Sequence, residues 1–281
     1  MRALAQFVMR GRTQAAAVAL VGHWIPLVSP AAVALVTLRR GMADGLLVLL
    51  WALLPPIVYM VVGQTSAVLA VIGAISVFAI ALLLRSSASW AHALMGLVAC
   101  NTLGVLLLAK LAPGFINEMI ELGKALFDSV RSQASQPVAL PEADTTLVLG
   151  WLAALGTLSC ILSMLLGRWW QAQLYNPGGF GEEFRALRLK PVAAMVCLVA
   201  ALYCYLQPGS MSVWVWVFVQ PLLFAGIALV HSVAKRRALA TQWMVLFYCA
   251  LLLVQPLKIL LVVIAFCDTW LNIRGKIRAK P

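Results

Sequence analysis

Charge is scarce in this chain. Only 11% of its 281 residues are charged, and just nine are acidic against 21 lysines and arginines. Soluble domains carry about 25% charged residues, so a water-facing surface of ordinary size is excluded. There is no Cys-x-x-Cys pair. The six cysteines (Cys100, Cys160, Cys197, Cys204, Cys249 and Cys267) are scattered through apolar segments. They read as small buried hydrophobes, not as metal ligands or disulfide partners. No HExxH, GxSxG or P-loop occurs, and no paired acid/base residues stand out, so neither an enzyme nor a cofactor is expected. If the protein moves a solute at the expense of ATP, another chain hydrolyses the ATP. Internal repeats and low-complexity tracts are also missing.

What is present is apolar: 63% of the residues are hydrophobic. In lipid such a composition is soluble, but backbone groups must pair internally, in helices or a closed barrel. The apolar runs are continuous and not alternating, so they read as helices, and the expected fold class is an all-α polytopic transmembrane bundle. A span needs about 20 apolar residues. Uncharged runs lie at Thr13–Leu38, Gly45–Leu84, Ala91–Ala109, Thr145–Gly167, Pro191–Val230 and Ala238–Leu257, the last continuing past Lys258 to Cys267. Two are double length, with breaks at Gly63-Gln64-Thr65-Ser66 and Gln207-Pro208-Gly209-Ser210, making about eight hydrophobic segments.

Lysine and arginine favour cytoplasmic loops. Arg39, Arg40, Arg85, Arg168, Arg185, Arg188, Lys190, Lys235, Arg236 and Arg237 therefore belong inside. The loop 113–144, with Glu118, Glu121, Asp128, Glu142 and Asp144, belongs outside. A cysteine near Gln136 should then be labelled from outside intact cells, and one near Gly178 spared. Within the loop, Phe115–Arg131 reads as an amphipathic helix with Phe115, Met119, Leu122 and Leu126 on its apolar face.

The termini conflict with this scheme. Arg2, Arg10 and Arg12, and Arg274, Lys276, Arg278 and Lys280, would fall outside if every segment crossed once. A break at His23-Trp24-Ile25-Pro26-Leu27-Val28-Ser29-Pro30 removes half of the conflict, because proline cannot sit in a regular helix interior. Two short helices, about 13–25 and 30–39, then enter and return from the cytoplasmic side, and the break should line a cavity open to the outer half of the membrane, because hydrocarbon cannot satisfy the backbone groups that Pro26 and Pro30 leave unpaired. Gln255-Pro256 interrupts the last segment similarly, and whether that one turns back or spans is open. The basic N-terminus before an apolar stretch also resembles a secretory leader. The interrupting prolines and the lack of a clean Ala-x-Ala site argue for retention.

Polar residues within the apolar segments are the candidate solute-binding groups: His23, Trp24, Asn101, Gln220, Gln255 and Lys258. Intramembrane polar groups tend to face a bundle interior, although helix–helix hydrogen bonding and snorkelling are the plainer explanations. The most distinctive stretch is Arg168-Trp169-Trp170 through Tyr175-Asn176-Pro177-Gly178-Gly179-Phe180. Trp169, Trp170 and Tyr175 suit the head-group interface, Asn-Pro-Gly-Gly is turn chemistry, and Phe180, Phe184 and Leu187 continue as a short interfacial helix. Tyr175, Asn176, Pro177, Gly178, Gly179, Phe180, Phe184, Arg185 and Arg188 are candidates for docking a partner or lipid head group. Two further readings stand beside this one: a glycine nest for a phosphate with Arg185, Arg188 and Lys190 nearby, and an anchored turn between two spans.

Leu38-Arg39-Arg40-Gly41 followed by Asp44-Gly45, the Tyr175–Phe180 turn with Phe184 and Arg188-Leu189, and Asp268 with Arg274 resemble the YybS-like family of uncharacterised bacterial membrane proteins. That family is distantly similar to the S components of energy-coupling-factor transporters, through an Ala-rich first helix (Ala15, Ala16, Ala17, Ala19), a proline-broken return and a basic turn. The resemblance implies an S-component-like core over residues 1–170, a cytoplasmic loop with an interfacial helix at 171–190, and additional transmembrane helices at 191–281. It also implies a small-molecule-binding or transport subunit of the inner membrane with membrane or ATPase partner subunits. No ligand residue carries over. The alternative is a scaffold that docks partners through its basic loops. Membrane lipids are an expected partner on charge grounds, whereas nucleic acid is not.

Overall fold

The computed structural model describes residues 1–133 and 140–276. Gln136, Arg278 and Lys280 therefore lie outside the described residues. Among those described, every regular element is helical. The N-terminal helices are α1 (Arg2–Arg10), α2 (Arg12–Val21), α3 (Val28–Arg40), α4 (Met42–Val61), α5 (Val68–Ser87) and α6 (Trp90–Leu111). Next come α7 (Pro113–Gln133), α8 (Thr145–Tyr175), α9 (Gly179–Ala186), α10 (Pro191–Leu206), α11 (Val215–Phe218) and α12 (Gln220–Arg236). The last described elements are α13 (Thr241–Leu253), α14 (Gln255–Leu271) and α15 (Ile273–Lys276).

Four helical segments are long and apolar enough to cross a membrane: Met42–Val61, Thr65–Ser87, Trp90–Leu111 and Thr145–Tyr175. The number rises to seven if each sharply bent pair counts as one span, the bends being 66° at α9–α10, 44° at α11–α12 and 109° at α13–α14. Eight segments were expected. The shortfall lies in the first one, where α2 and α3 have 10 and 13 residues. At 1.5 Å per residue these reach only about 15 and 20 Å, short of roughly 30 Å of hydrocarbon.

Between α2 and α3 lies a 3-10 turn, Gly22–Trp24, followed by Leu27 in the left-handed region at φ 70°. Pro30 falls in the first turn of α3, where a missing N–H costs little. Ser29 Oγ donates to Ala19 O at 2.7 Å, tying the two helices together beside the turn. Their far ends also meet. Arg12 at the start of α2 and Arg40 at the end of α3 both reach Asp44, at 2.7 and 3.6 Å, and Arg40 donates to Met9 O. The pair is thus a hairpin whose two open ends share one pole of the bundle.

That pole gathers most of the basic residues. Arg85 Nη1 donates to Leu38 O at 2.8 Å, and Arg39 lies over the Tyr175 ring at 4.1 Å. Arg188 donates to Thr269 O at 2.6 Å, and Arg274 pairs with Asp268 at 2.9 Å and donates to Arg185 O. The end of α14 therefore lies at the same pole as α9. Because α13 begins just after Lys235, Arg236 and Arg237, the α13–α14 pair also leaves from and returns to it. The opposite pole carries α7, Glu142 and Asp144, where Trp214 Nε1 donates to Thr146 O and Ser210 Oγ to Glu142 O.

The centre of the bundle is α3, with Ala31, Ala32, Val33, Ala34 and Leu35 fully buried. Small residues on α8 let it approach closely: a Cβ at Gly167 would lie 2.7 Å from Ala34 Cβ and 2.8 Å from Ala31 O.

Three local expectations need correction. Helix α8 does not end near Gly167 but continues to Tyr175, so Arg168 is helical, and Trp170 is fully buried in the core instead of lying at a head-group interface. Its ring packs beside Ala5, Val8 and Leu35 in one cluster, because α1 is a helix that covers that side. On α7 the docked face is Phe115 and Ile116, buried, with Met119 and Ile120 partly so. Leu122 and Leu126 are 62% and 59% exposed, since only the first part of the helix lies on the bundle.

Candidate functional site: a cleft at the helix break

The turn between α2 and α3 borders a cleft of about 340 Å³. Gly22, His23, Ile25, Pro26 and Leu27 form one wall, Gly73 and Ala74 of α5 another, and Gly156, Ser159, Cys160 and Ser163 of α8 a third. Small side chains make the space: residues 156, 159, 160 and 163 recur at helical spacing on one face. Ile25 and Leu155 at its edge are exposed, so the cleft opens on the side of the bundle. The lining is mostly apolar. Its polar groups are His23, Ser29, Ser159 and Ser163, of which Ser163 donates to Ser159 O at 2.8 Å. Such a site can hold a small, largely apolar molecule and orient it through one or two hydrogen bonds.

Of the six predicted solute residues, only His23 lines this cleft. Trp24 sits next to it, 64% exposed, its indole donating to Tyr59 Oη at 3.1 Å. Asn101 stands behind the wall: its amide donates to Leu97 O and its oxygen is 3.8 Å from Cys160 Sγ. Gln220 lies elsewhere, donating to Ala154 O at 2.8 Å. Gln255 and Lys258 pair with each other at the α13–α14 turn, at 3.2 Å. A cavity shared by His23, Asn101 and Gln255 is therefore not formed: His23 lines the cleft, Asn101 is bonded behind its wall, and Gln255 pairs with Lys258 at a different turn. Sequence reasoning missed Ser159, Ser163 and Tyr59. The small-residue stripe on α8 was the available signal for the serines.

The Tyr175–Phe180 turn is anchored more than presented. Phe180 lies edge-on to Trp90 at 6.4 Å and stacks on Phe184 at 6.0 Å, and Phe184 meets His231 at 5.6 Å. The amides of Gly179 and Gly181 already donate to Asn176 O and Gly178 O, so they are not free to cradle a phosphate. Tyr175, Asn176, Pro177 and Gly178 remain exposed, Gly178 at φ 89°. Gly179 is buried. Arg188 is spent on α14, and the Arg185 carbonyl on Arg274.

A bundle of apolar helices of crossing length between a basic and an acidic pole fits an integral membrane protein. Comparison with protein-family models, curated proteins and solved structures gives no match.

Proposed function

We propose that this chain is a multi-pass protein of the bacterial inner membrane that binds a small molecule in the cleft at the α2–α3 turn, as a binding or transport subunit resembling an S component. The observation that carries the reading is the cleft itself, walled by a broken helix pair and opening on the side of the bundle. In this reading the basic pole is cytoplasmic, α2–α3 and α13–α14 are re-entrant, and the solute enters from the lipid side. Its chemistry follows from the lining: a compact apolar body with a hydrogen-bonding group for Ser159 or His23.

The test is mass spectrometry of small molecules retained by gently solubilised protein, with Ser159→Phe as comparison. Ser159 is exposed and lines the cleft, so the new ring fills the space without entering the core. A compound carried by the wild type and lost in the variant is expected. Identical profiles, or no retained compound, would favour a scaffold that makes no solute contact.

A further inference from the structure

A second cleft, of about 560 Å³, lies at the basic pole. It is assembled from Leu38, the α5–α6 corner at Leu84–Ala91, Arg168 on α8, and Glu183 and Ala186–Arg188 around the end of α9. Three guanidinium groups line it against one carboxylate. Arg168 is neutralised by its pairing with Glu183. Arg85 is not: it uses Nη1 on the carbonyls of Thr37 and Leu38, leaving Nε and Nη2 without an acceptor among the described residues. Arg188 spends both terminal nitrogens on Thr269 and Asn272 and has no charged partner there. The cleft thus carries an uncompensated positive charge with donors to spare.

Two neighbouring features have the same sense. The cleft meets the start of α6 at Ser89, Trp90 and Ala91; Ser89 Oγ caps the His92 amide, while the Trp90 and Ala91 amides have no acceptor within the helix and the helix dipole favours negative charge. Trp90 is 7% exposed, and its indole N–H has no hydrogen-bond partner among the described residues. Around these donors the lining is apolar, with Leu38, Leu84 and Leu187 all buried. The free Arg85 donors, net positive charge and an apolar floor together describe a site for a phosphate group.

We infer that this cleft binds a phosphate-bearing anion, either the head group of an anionic lipid or a soluble phosphate compound. The site is separate from the cleft at the α2–α3 turn, and neither proposal depends on the other.

Native mass spectrometry of the full-length protein, offered equal amounts of phosphatidylglycerol and phosphatidylcholine, tests the lipid source. Calorimetric titration with inorganic pyrophosphate tests the soluble one. Ala88 is exposed, lines the rim and sits at φ 49°, a conformation that Asp and Asn tolerate. Ala88→Asp therefore adds a negative charge without disturbing the core, and should weaken binding about fivefold or more, the worth of one charge near an anionic ligand. Ala88→Asn should bind as the wild type does. Lys235→Gln removes an exposed charge at the same pole but outside the cleft, and should leave binding unchanged. Preference for phosphatidylglycerol assigns the site to lipid, and pyrophosphate binding without that preference assigns it to a soluble ligand. Binding of neither probe, or equal weakening by Ala88→Asp and either Ala88→Asn or Lys235→Gln, overturns the inference.

Discussion

Gly167→Ala tests the packing on which the whole arrangement rests. The added methyl group would lie 2.7 Å from Ala34 Cβ, 2.8 Å from Ala31 O and 3.2 Å from Leu35 N. Carbon contacts are comfortable at about 3.5–4.0 Å. Two of the three atoms belong to the α3 backbone and cannot rotate away, so α8 must retreat from α3 by most of an ångström. Overpacking of this kind costs about 1–3 kcal/mol. Alanine recovers up to about 1 kcal/mol through its better helix propensity, leaving a net loss of roughly 1–2 kcal/mol. At about 2–4 °C per kcal/mol for a chain of this size, the apparent Tm should fall by roughly 2–8 °C. Gly114→Ala is the matched control, since nothing lies within 4 Å of its added carbon, and it should be neutral or slightly stabilising. Thermal melting in mild detergent, followed by size-exclusion chromatography, reads both. A Gly167→Ala protein as stable as Gly114→Ala would mean that α3 and α8 are not in this contact.

Three other outcomes are expected. Single-cysteine labelling from outside intact cells should modify a cysteine at Ser129, on α7, and spare one at Gly178; the reverse pattern would invert the assignment of the poles. Arg274→Ala strands Asp268, which is 1% exposed, and should destabilise by about 3–5 kcal/mol, with Asp268→Asn in the same chain recovering part of the loss; no recovery would mean that the ion pair is not what Arg274 contributes. Ile116→Ala should cost about 2–5 kcal/mol and Leu122→Ala less than about 0.5 kcal/mol; similar losses at both positions would restore the face read from the sequence.

The coarse features were legible because single residues determine them. Runs without charge mark apolar helices whatever their neighbours, and the turns at Gly63 and Gly209 fall where Gly, Pro and polar residues interrupt such runs. The two poles are visible in the distribution of arginines. What stayed hidden depends on contacts between distant segments. Helix α7 has more than one plausible apolar stripe, and only its seating against α8 selects Phe115 and Ile116 over Leu122 and Leu126. Trp170 is the kind of residue found at interfaces, and the covering by α1 is what buries it. Asn101, Gln220 and Gln255 are alike in sequence, each a lone polar group in an apolar run, yet each finds a different partner: the Leu97 carbonyl one turn back, the Ala154 carbonyl on α8, and Lys258 one turn ahead. The basic cleft draws on four separate segments, so no window of sequence contains it.

The α2–α3 turn also changes the reason for expecting a cavity there. From the sequence, Pro26 and Pro30 leave backbone groups unpaired, which a cavity or packed protein must satisfy. In the structure the turn closes much of its own bonding. Ile25 N donates to Gly22 O, Val28 N to Ile25 O and Ala31 N to Leu27 O, while Ser29 Oγ takes up the Ala19 carbonyl. Unmet backbone groups therefore do not create the cleft. It exists because Gly73 and Ala74 on α5 and Gly156, Ser159 and Ser163 on α8 are too small to fill the space opposite the turn. Elsewhere on the same helix, small residues bring neighbours into contact, as at Gly167. Opposite the turn they leave a gap, because α2 has already ended at Val21 and α3 does not begin until Val28. The same stripe thus packs one half of α8 and opens the other. On the proposed function, the selectivity of the cleft would rest on the side chains of α8 and His23, and not on the proline backbone.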